Sequence, residues 1–378
     1  MFLAAALLAF QTPAPAPASE ARALALETLA ERQVVQRDAR NGADVLVAGS
    51  CADAPALVVR VLRGTERIAV RAAELQDLPG PRARFEVKVR VPAGGWYALE
   101  LAPSETAPAQ FTLARFGVGE VFVVAGQSNS TNFGEERSEV VDERVSMFDG
   151  ELWRLARDPM SGVQDGSYGG SPWPRFGQLL VQAFDVPVAI ASCGYGGTSI
   201  RWWQKGHLLQ MRADPAIVLF DGLKQRLESV GNVRAVLWHQ GESDAAGAMP
   251  RAEYVALFTQ LKNALANELD GQPPQWIVAR ASYVPGISAE KCEAIRAAQT
   301  ELWTSGVALR GPDTDDMLGE LRHSKDHIHF SKAGLAVHAQ RWFDVVRALI
   351  APPTESKPAE TKPGETKPAE PKPVTPPK

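Results

Sequence analysis

The chain has 378 residues, which suggests two domains, and its 45% hydrophobic and 22% charged residues are those of a globular protein with a full core. A net charge of -4 gives no electrostatic reason to expect binding to nucleic acid or to an anionic membrane. The cysteines, Cys51, Cys193 and Cys292, lie far apart without a Cys-x-x-Cys spacing, so neither a zinc site nor a disulfide framework is indicated. One pair of them could still form a bridge.

The amino terminus resembles a secretory signal peptide. Phe2–Phe10 is an apolar run too short to span a bilayer, and Ala16-Pro17-Ala18 fits a cleavage site of small residues. The basic residues that usually precede such a run are missing, so a disordered leader on a cytoplasmic protein is the alternative. We expect residues 1–18 to be a signal peptide and the protein to be secreted or periplasmic. No later segment approaches a transmembrane span, so no membrane span is expected.

Residues 41–116 have the composition of an all-β region. After a helix-prone but weakly patterned stretch over residues 21–40, short apolar segments follow one another, separated by turn residues. The predicted strands are Val45–Ala48, Leu57–Leu62, Phe85–Val91 and Trp96–Leu101. Apolar and polar residues alternate strictly in Phe85–Val91, as in a strand with one buried face. Several short strands without helices predict a small β-sandwich accessory domain over residues 41–116.

From residue 119 onward, apolar strand candidates alternate with amphipathic helix candidates. The predicted strands are Val121–Ala125, Val186–Ser192, Val233–His239, Trp276–Ala281 and Val307–Arg310. The predicted helices are Trp173–Phe184, Ala216–Ser229 after Asp214-Pro215, Arg251–Glu268, Ala289–Trp303 and Ser331–Ile350. This alternation predicts an α/β domain over residues 119–351 with a doubly wound, parallel five-stranded sheet. Residues 352–378, rich in Pro, Lys and Glu, are predicted to form a disordered tail.

The first predicted strand of this domain breaks abruptly at Gly126 and is followed by Gln127, Ser128 and Asn129. Ligands of open α/β sheets bind at the carboxyl ends of the strands, so Ser128 is a candidate nucleophile. Ser, Asn and Gly are also the usual residues of turns, and in isolation a plain turn serine is the alternative. The residues that follow the other predicted strands distinguish between these two interpretations.

Polar residues follow the second and third predicted strands as well. After the second come Gly196 and Gly197, where a double glycine lets a main-chain N–H approach a ligand closely. After the third comes Gln240, whose amide can donate hydrogen bonds at the same edge of the sheet. Glu242 and Asp244 suggest paired glycosidase carboxylates, but two residues apart in one loop they are poorly placed on opposite sides of a bond. We therefore expect them to fix the loop.

The last loop before the final helix contains Asp326 and His329. If the residues between them form a turn, the carboxylate can accept a hydrogen bond from Nδ1 of the imidazole and leave Nε2 free to face a serine. Together with His323 and His327, these residues also suggest a metal site. No defined ligand spacing accompanies them, so we expect neither a metal nor an organic cofactor.

Four blocks at these strand ends carry a resemblance to a known family. They are GQSN at residues 126–129, GGTSI-x-W at 196–202, W-x-QGESD at 238–244 and D-x-x-HF-x-x-x-G at 326–334. In this order they resemble the SGNH-hydrolase superfamily, and more narrowly its sialate O-acetylesterase-like branch, which is related to carbohydrate esterase family 6. The resemblance covers roughly residues 119–350 and implies a flavodoxin-like fold.

The resemblance also implies roles for individual residues. Ser128 would be the nucleophile, His329 the general base and then acid, and Asp326 the residue that orients it. The oxyanion hole would use the Ser128 N–H, an N–H of Gly197 or Gly196, with Gly197 preferred, and the Gln240 side chain. Gln127 and Gln240 replace an aspartate and an asparagine of the common superfamily pattern, as in the O-acetylesterase branch. The residues expected around the substrate are Gln127, Asn129, Arg201, Trp202 and Glu242.

We expect a carbohydrate O-acetylesterase that hydrolyses acetyl esters of sugars, on sialic acid or on xylan-type glycans, through a serine acyl-enzyme. Arg201, Trp202 and Trp203 follow the glycine loop and are either a sugar platform or, for the tryptophans, core residues. The alternatives are a short-chain or lipid esterase of the same fold and a non-catalytic glycan-binding protein. The second is disfavoured because the nucleophile, base and orienting residue are all present.

Overall fold

The structure is a computed structural model that describes residues 24–52, 56–78, 82–139, 141–211, 216–271 and 273–350. The predicted signal peptide, the predicted tail and the Asp214-Pro215 pair lie outside the described residues.

Residues 24–102 form eight strands. They are β1 (Leu24–Leu26), β2 (Val34–Gln36), β3 (Gly42–Ala52), β4 (Val58–Arg63), β5 (Glu66–Ala72), β6 (Glu74–Leu78), β7 (Arg82–Pro92) and β8 (Trp96–Ala102). The order β1-β3-β7-β6 makes an antiparallel four-stranded sheet. Inward side chains of β3 and β7 share one hydrophobic cluster with those of β4 and β8. The predicted alternation of β7 is confirmed, with Phe85, Val89 and Val91 buried and Glu86 and Lys88 exposed.

The helix-prone stretch over residues 21–40 contains strands, not a helix, in its described part. β1 pairs with β3, and β2 pairs in parallel with the next strand, β9 (Phe111–Gly126). Tertiary pairing overrides the local preference here because three-residue strands have little intrinsic stability of their own.

Strand β9 is 16 residues long and runs without a break through the predicted domain boundary at residues 116–119. Its first part pairs antiparallel with β8, and its second part lies between two parallel neighbours. Every residue from Phe116 to Gly126 is buried. The stretch Val121–Ala125 is therefore buried on both faces, as its unbroken apolar sequence predicts.

The sheet that contains β9 has eleven strands and is mixed. Four of the others are β2, β4, β5 and β8, described above. The remaining six are β10 (Val145–Phe148), β11 (Trp153–Leu155), β12 (Val188–Ser192), β13 (Ala235–His239), β14 (Trp276–Arg280) and β15 (Leu309–Asp313). The order β10-β12-β9-β13-β14-β15 is parallel throughout, and β11 pairs antiparallel with β10. The predicted count of five parallel strands is wrong, since β10 adds a sixth. Its four residues are too few to show a strand period.

Helices cover both faces of this sheet. They are α1 (Trp173–Phe184), α2 (Leu219–Val230), α3 (Glu242–Ala246), α4 (Arg251–Glu268), α5 (Ala289–Thr304) and α6 (Lys332–Ile350). Val121 and Val123 pack with α2, α4 and α5, whereas Phe122 and Val124 pack with α1 and α6. Helix α2 begins three residues later than predicted, at Leu219. Among the described helices, none combines the length and hydrophobicity that a membrane crossing requires.

All three cysteines are buried as thiols, so the bridge that the sequence left open is not formed. Cys193 and Cys292 belong to the cluster beneath α2, α4 and α5, and Cys51 belongs to the cluster of the amino-terminal strands. Burial raises the pKa of the Cys193 thiol to about 12. The thiols therefore act as small apolar side chains.

Candidate active site

Ser128 lies where β9 ends and the chain turns sharply. Gly126 has a φ of 125°, and a Cβ there would lie 2.1 Å from the main-chain oxygen of His239 on β13. Only glycine fits this close approach. The Gln127 N–H then donates to the same oxygen at 2.9 Å, and Ser128–Ser130 form one turn of 3-10 helix. The candidate nucleophile is buried, with 5% of its surface exposed, on a turn that is attached to the neighbouring strand.

Asp326 and His329 form the pair that their spacing predicts. His329 Nδ1 lies 2.8 Å from Asp326 Oδ2. Asp326 Oδ1 accepts the main-chain N–H groups of Ile328 at 2.8 Å and of His329 at 3.0 Å. Partial burial acts to raise the pKa of Asp326, but these hydrogen bonds outweigh it and lower the pKa. The carboxylate is held ionised against Nδ1, which directs Nε2 outward.

A cavity of about 250 Å³ brings Ser128 and His329 together. The residues that line it are Gln127, Ser128, Phe133, Gly196, Gly197, Glu242, Ser243, Ala246, Val284, Ile328 and His329. They come from the loops after β9, β12, β13 and β14 and from the loop before α6. A parallel sheet places these loops at one edge, which explains how residues 200 positions apart share one small cavity.

The loop after β12 contains Gly196 and Gly197, and we call it the glycine loop. One of these two N–H groups is already hydrogen-bonded within the described part of the protein and the other is not. Gly196 donates its N–H to Asp165 Oδ2 at 2.6 Å. Gly197 is exposed, has a φ of 75°, and its N–H has no hydrogen-bond partner among the described residues. Of the two glycines, Gly197 is the one whose N–H remains available to a ligand in the cavity.

The side chains of Gln127 and Gln240 both form hydrogen bonds with protein groups, and of the two only Gln127 lines the cavity. Gln127 Oε1 accepts the N–H of Ser243 at 3.1 Å and lies 3.4 Å from the N–H of Gly241. Gln240 is fully buried and does not line the cavity; its Nε2 donates to the Thr198 main-chain oxygen at 3.1 Å and to Asp244 Oδ2 at 2.5 Å. These contacts do not support the predicted oxyanion donor at Gln240. They tie the glycine loop to the loop after β13.

Glu242 forms the buried wall of the cavity. Its Oε1 accepts a hydrogen bond from Asn129 Nδ2 at 2.9 Å and lies 3.3 Å from His239 Nε2. Burial alone would raise the pKa of Glu242, but the neighbouring His239 and the hydrogen bond from Asn129 outweigh it and lower the pKa to about 2. Asn129 therefore contacts Glu242 and does not line the cavity. It braces the turn that carries Ser128.

Asp244 faces a different set of partners from Glu242. It accepts hydrogen bonds from the Ser199 hydroxyl and, at 2.9 Å, from the Ile200 N–H. Burial raises its pKa, and these hydrogen bonds act against that rise. Glu242 and Asp244 thus hold separate loops in place. This agrees with the prediction that they have a structural role and are not the paired carboxylates of a glycosidase.

The family model for "Carbohydrate esterase, sialic acid-specific acetylesterase" matches residues 118–347 of this chain. The chain belongs to this family. The activity of the protein is therefore the hydrolysis of acetyl esters on sugars. No curated protein matches the chain.

One solved structure agrees with this assignment at the level of the fold. A carbohydrate acetylesterase from Xanthomonas citri superposes with a TM-score of 0.56 at 20% identity, covering 86% of this chain and 74% of its own. A protein from Arabidopsis thaliana gives a TM-score of 0.49 at 18% identity, covering 61% of this chain and 98% of its own. The first of these similarities shows that the acetylesterase family member shares its α/β fold with a solved carbohydrate acetylesterase.

Like Asn129, two more of the residues expected around the substrate do not line the cavity of this acetylesterase. Arg201 is exposed and forms an ion pair with Glu253, with its Nε 2.7 Å from Oε1. Trp202 is half-buried against the core, and Trp203 is fully buried with its Nε1 donating to Thr198 Oγ1 at 3.1 Å. Trp203 is therefore a core residue, whereas Trp202 packs against the core with part of its surface exposed.

His323 and His327 do not face the cavity of the acetylesterase. His323 Nδ1 accepts the Lys325 N–H at 3.1 Å, and His327 adopts a φ of 56° within the tight turn between Asp326 and His329. Within the described ranges, no group of three or more His, Cys, Asp or Glu side chains has the geometry to hold a metal ion.

Two residues of the site have no local sequence signal. Phe133 lines the cavity, and its ring stacks on His329 with centroids 4.8 Å apart and planes inclined by 24°. Asp165 holds the glycine loop from 31 positions away. A phenylalanine and an aspartate in loops fit no motif, and only the folded chain shows what they contact.

Proposed function

We propose that this acetylesterase works through a serine acyl-enzyme. Ser128 Oγ attacks the acetyl carbonyl carbon while His329 Nε2 takes its proton. The tetrahedral intermediate then expels the sugar hydroxyl, which receives the proton from His329. In the second half, His329 Nε2 takes a proton from water as the water oxygen attacks the carbonyl carbon of the acetyl-enzyme. The bond between that carbon and Ser128 Oγ then breaks, His329 returns the proton to Oγ, and acetic acid leaves and ionises to acetate.

One observation carries this proposal. The Asp326–His329 hydrogen bond of 2.8 Å engages Nδ1, and His329 lines the same cavity as Ser128. Asp326 would stabilise the imidazolium that forms when Nε2 takes the serine proton. A small cavity of about 250 Å³ supports acetyl rather than long acyl groups as the part of the substrate that enters.

We propose an oxyanion hole made of the N–H groups of Ser128 and Gly197. The Ser128 N–H lies at the start of the 3-10 turn, where main-chain N–H groups have no partner within the helix. The Gly197 N–H is available, and the Gly196 N–H is bound to Asp165. Gln240 would act by holding Thr198, the next residue along, and not by touching the oxyanion.

The choice between sialic acid and xylan-type substrates depends on charge at the cavity. Glu242 lines the cavity as an ionised carboxylate, because its pKa is lowered to about 2. Like charges repel strongly where water is scarce. An O-acetylated sialic acid would therefore bind only with its carboxylate turned to solvent, whereas a neutral acetylated sugar has no such constraint. Acetate release from both substrates measures the preference.

The mechanism is tested by Ser128→Ala on p-nitrophenyl acetate, with Ser130→Ala as the matched control. Ser130 is in the same turn, but its hydroxyl donates to the Gln127 main-chain oxygen at 2.7 Å. Loss of the nucleophile should lower kcat by at least about 10⁴-fold. Ser130→Ala loses one hydrogen bond and should stay within about tenfold of the parent. Activity that survives in Ser128→Ala would overturn the serine mechanism.

We also propose that the protein is exported and that the strands before residue 117 form an accessory β-sandwich domain. The first is supported by the apolar run and the small-residue site in residues 1–18. The second is supported by the cluster that joins the antiparallel β1-β3-β7-β6 sheet to β4 and β8. Mass spectrometry of the mature amino terminus in culture medium or periplasm tests export directly.

A further inference from the structure

Tyr168 is the most exposed of the large hydrophobic side chains in the described part of the chain, with 70% of its surface open to solvent. It is nevertheless held in place, because the guanidinium of Arg137 lies 3.8 Å from the centroid of its ring. The same guanidinium donates to the Tyr168 main-chain oxygen from two nitrogens, at 2.8 and 3.2 Å. A cation thus packs against the ring while most of the side chain remains open.

The loop that carries Tyr168 is attached to the cavity at both of its ends. Before Tyr168, Asp165 accepts the Gly196 N–H of the glycine loop. After it, the Gly169 N–H donates to the Asn132 main-chain oxygen at 2.7 Å. The position of Tyr168 is therefore fixed relative to the groups that bind the acetyl ester.

The segment opposite this loop supports the candidate base. Gly134 and Gly170 exchange two main-chain hydrogen bonds, at 2.9 and 3.0 Å. Phe133, directly before Gly134, lines the cavity and stacks on His329. Tyr168 thus lies two residues before Gly170, on the chain segment paired with the one that contacts His329.

A groove of about 410 Å³ is lined in part by Arg137, the residue that packs against the Tyr168 ring. It runs between residues 136–139 and the start of α6, and Arg137, Arg175, Lys332 and Leu335 are among its lining residues. Lys332 comes three residues after His329. The groove offers charged groups to hydroxyls and an apolar floor next to the open aromatic ring.

We propose that Tyr168, supported by Arg137, binds a second sugar unit of a glycan chain whose acetylated unit occupies the cavity. A sugar ring has an apolar face of C–H groups that packs on an aromatic ring, and hydroxyls at its edge that bind charged side chains. The inference deepens the proposed function and rests on it. It makes the protein an esterase of oligosaccharides or polysaccharides in preference to free acetylated monosaccharides.

The test compares Tyr168→Ala and Tyr168→Phe with the parent enzyme on three substrates. These are a short acetylated xylo-oligosaccharide, the corresponding acetylated monosaccharide and p-nitrophenyl acetate. The parent should have the higher kcat/KM for the oligosaccharide. Tyr168→Ala should lose about three- to tenfold on the oligosaccharide alone, because one aromatic packing contact is removed. Tyr168→Phe keeps the ring and should retain the preference.

An unchanged ratio of oligosaccharide to monosaccharide kcat/KM in Tyr168→Ala would overturn the subsite. So would an equal loss on p-nitrophenyl acetate, since that would mean a structural role for Tyr168 in the loop. Either result is separate from a failure of the serine mechanism, which is measured with Ser128→Ala. A parent enzyme that prefers the monosaccharide also contradicts the proposal.

Discussion

The two sides of the cavity that holds Ser128 and His329 are built differently. The side that carries Ser128 is buried and braced from the loop after β13, through Gln127 with Ser243 and through Asn129 with Glu242. The side that carries His329 faces solvent, and the side chain of its partner Asp326 is 37% exposed. We call these the nucleophile wall and the base wall.

The difference lies in how each wall keeps a carboxylate ionised. Glu242 depends on His239, three residues before it, and on Asn129, 113 residues before it, and its pKa is lowered although burial alone would raise it. Asp326 depends on its own turn, through His329 and the N–H groups of residues 328 and 329. The nucleophile wall therefore includes hydrogen bonds between loops more than 100 residues apart, whereas Asp326 and His329 on the base wall are paired within one turn. Substitutions should separate them, with stability changing at one wall and activity at the other.

The largest expected effect of such substitutions is on the base wall, from Asp326→Asn. The amide keeps an oxygen for the two main-chain N–H groups, but its NH₂ faces Nδ1 and favours the tautomer with a proton on Nε2. That proton blocks the acceptance of a proton from Ser128. We expect kcat for p-nitrophenyl acetate to fall about 10²- to 10⁴-fold. The free energy of unfolding, measured by thermal denaturation, should change by only about 0.5 kcal/mol or less. Retention of most of the activity would contradict the role of Asp326.

Glu242→Gln, on the nucleophile wall, should instead affect mainly the stability of the protein. The amide can still accept the hydrogen bond from Asn129, but the negative charge beside buried His239 is lost. The lowered pKa of Glu242 means that its charge stabilises the fold at neutral pH, so removing that charge should lower the free energy of unfolding by about 2–4 kcal/mol. Urea unfolding of the variant, with Asp326→Asn beside it, measures the contrast. Equal stability losses in the two variants would remove the distinction between the walls.

Acid unfolding tests the same charge independently. The folded-state pKa of Glu242 is about 2, below its ordinary value of 4.5. A carboxylate with a lowered pKa stabilises the fold fully above its unfolded-state pKa, and this contribution is lost as the pH falls toward the folded-state value. Between pH 4.5 and 2 the parent should lose up to about 1.4 kcal/mol per pH unit from this residue, and Glu242→Gln should not. Parallel acid profiles would rule out Glu242 as the group responsible.

The local features of the molecule were predictable from the sequence. The break of an apolar run at Gly126 marks the strand end, because the residue there must tolerate close contact with β13. The spacing of Asp326 and His329 predicts their hydrogen bond, since only one turn separates them. Helices α1 and α4 have the predicted bounds, Trp173–Phe184 and Arg251–Glu268, because each begins beside a proline.

What the sequence missed depends on contacts between distant segments. Strand β10 is only four residues long, and its place in the sheet comes from pairing with β12. Gln240 could be recognised as a polar residue at a strand end, but not as a donor already bound to Thr198 and Asp244. Arg201 could be placed after the glycine loop, but its ion pair with Glu253 crosses to α4. Periodicity and motif spacing carry no information about such partners.

The smallest expected effect concerns Phe133, which joins the two walls. It follows the nucleophile turn in sequence, stacks on His329, and lies so close to the glycine loop that a Cβ at residue 196 would be 2.6 Å from its ring. If His329 is held only by its own turn, the Phe133 ring helps to orient the imidazole but is not needed for the hydrogen bond between His329 and Asp326. Phe133→Leu should therefore lower kcat/KM for p-nitrophenyl acetate by only about three- to tenfold, the range of one aromatic contact. Phe133→Tyr, which keeps the ring, should remain near the parent. A loss as large as that of Asp326→Asn would mean that the nucleophile wall, through Phe133, also positions the base.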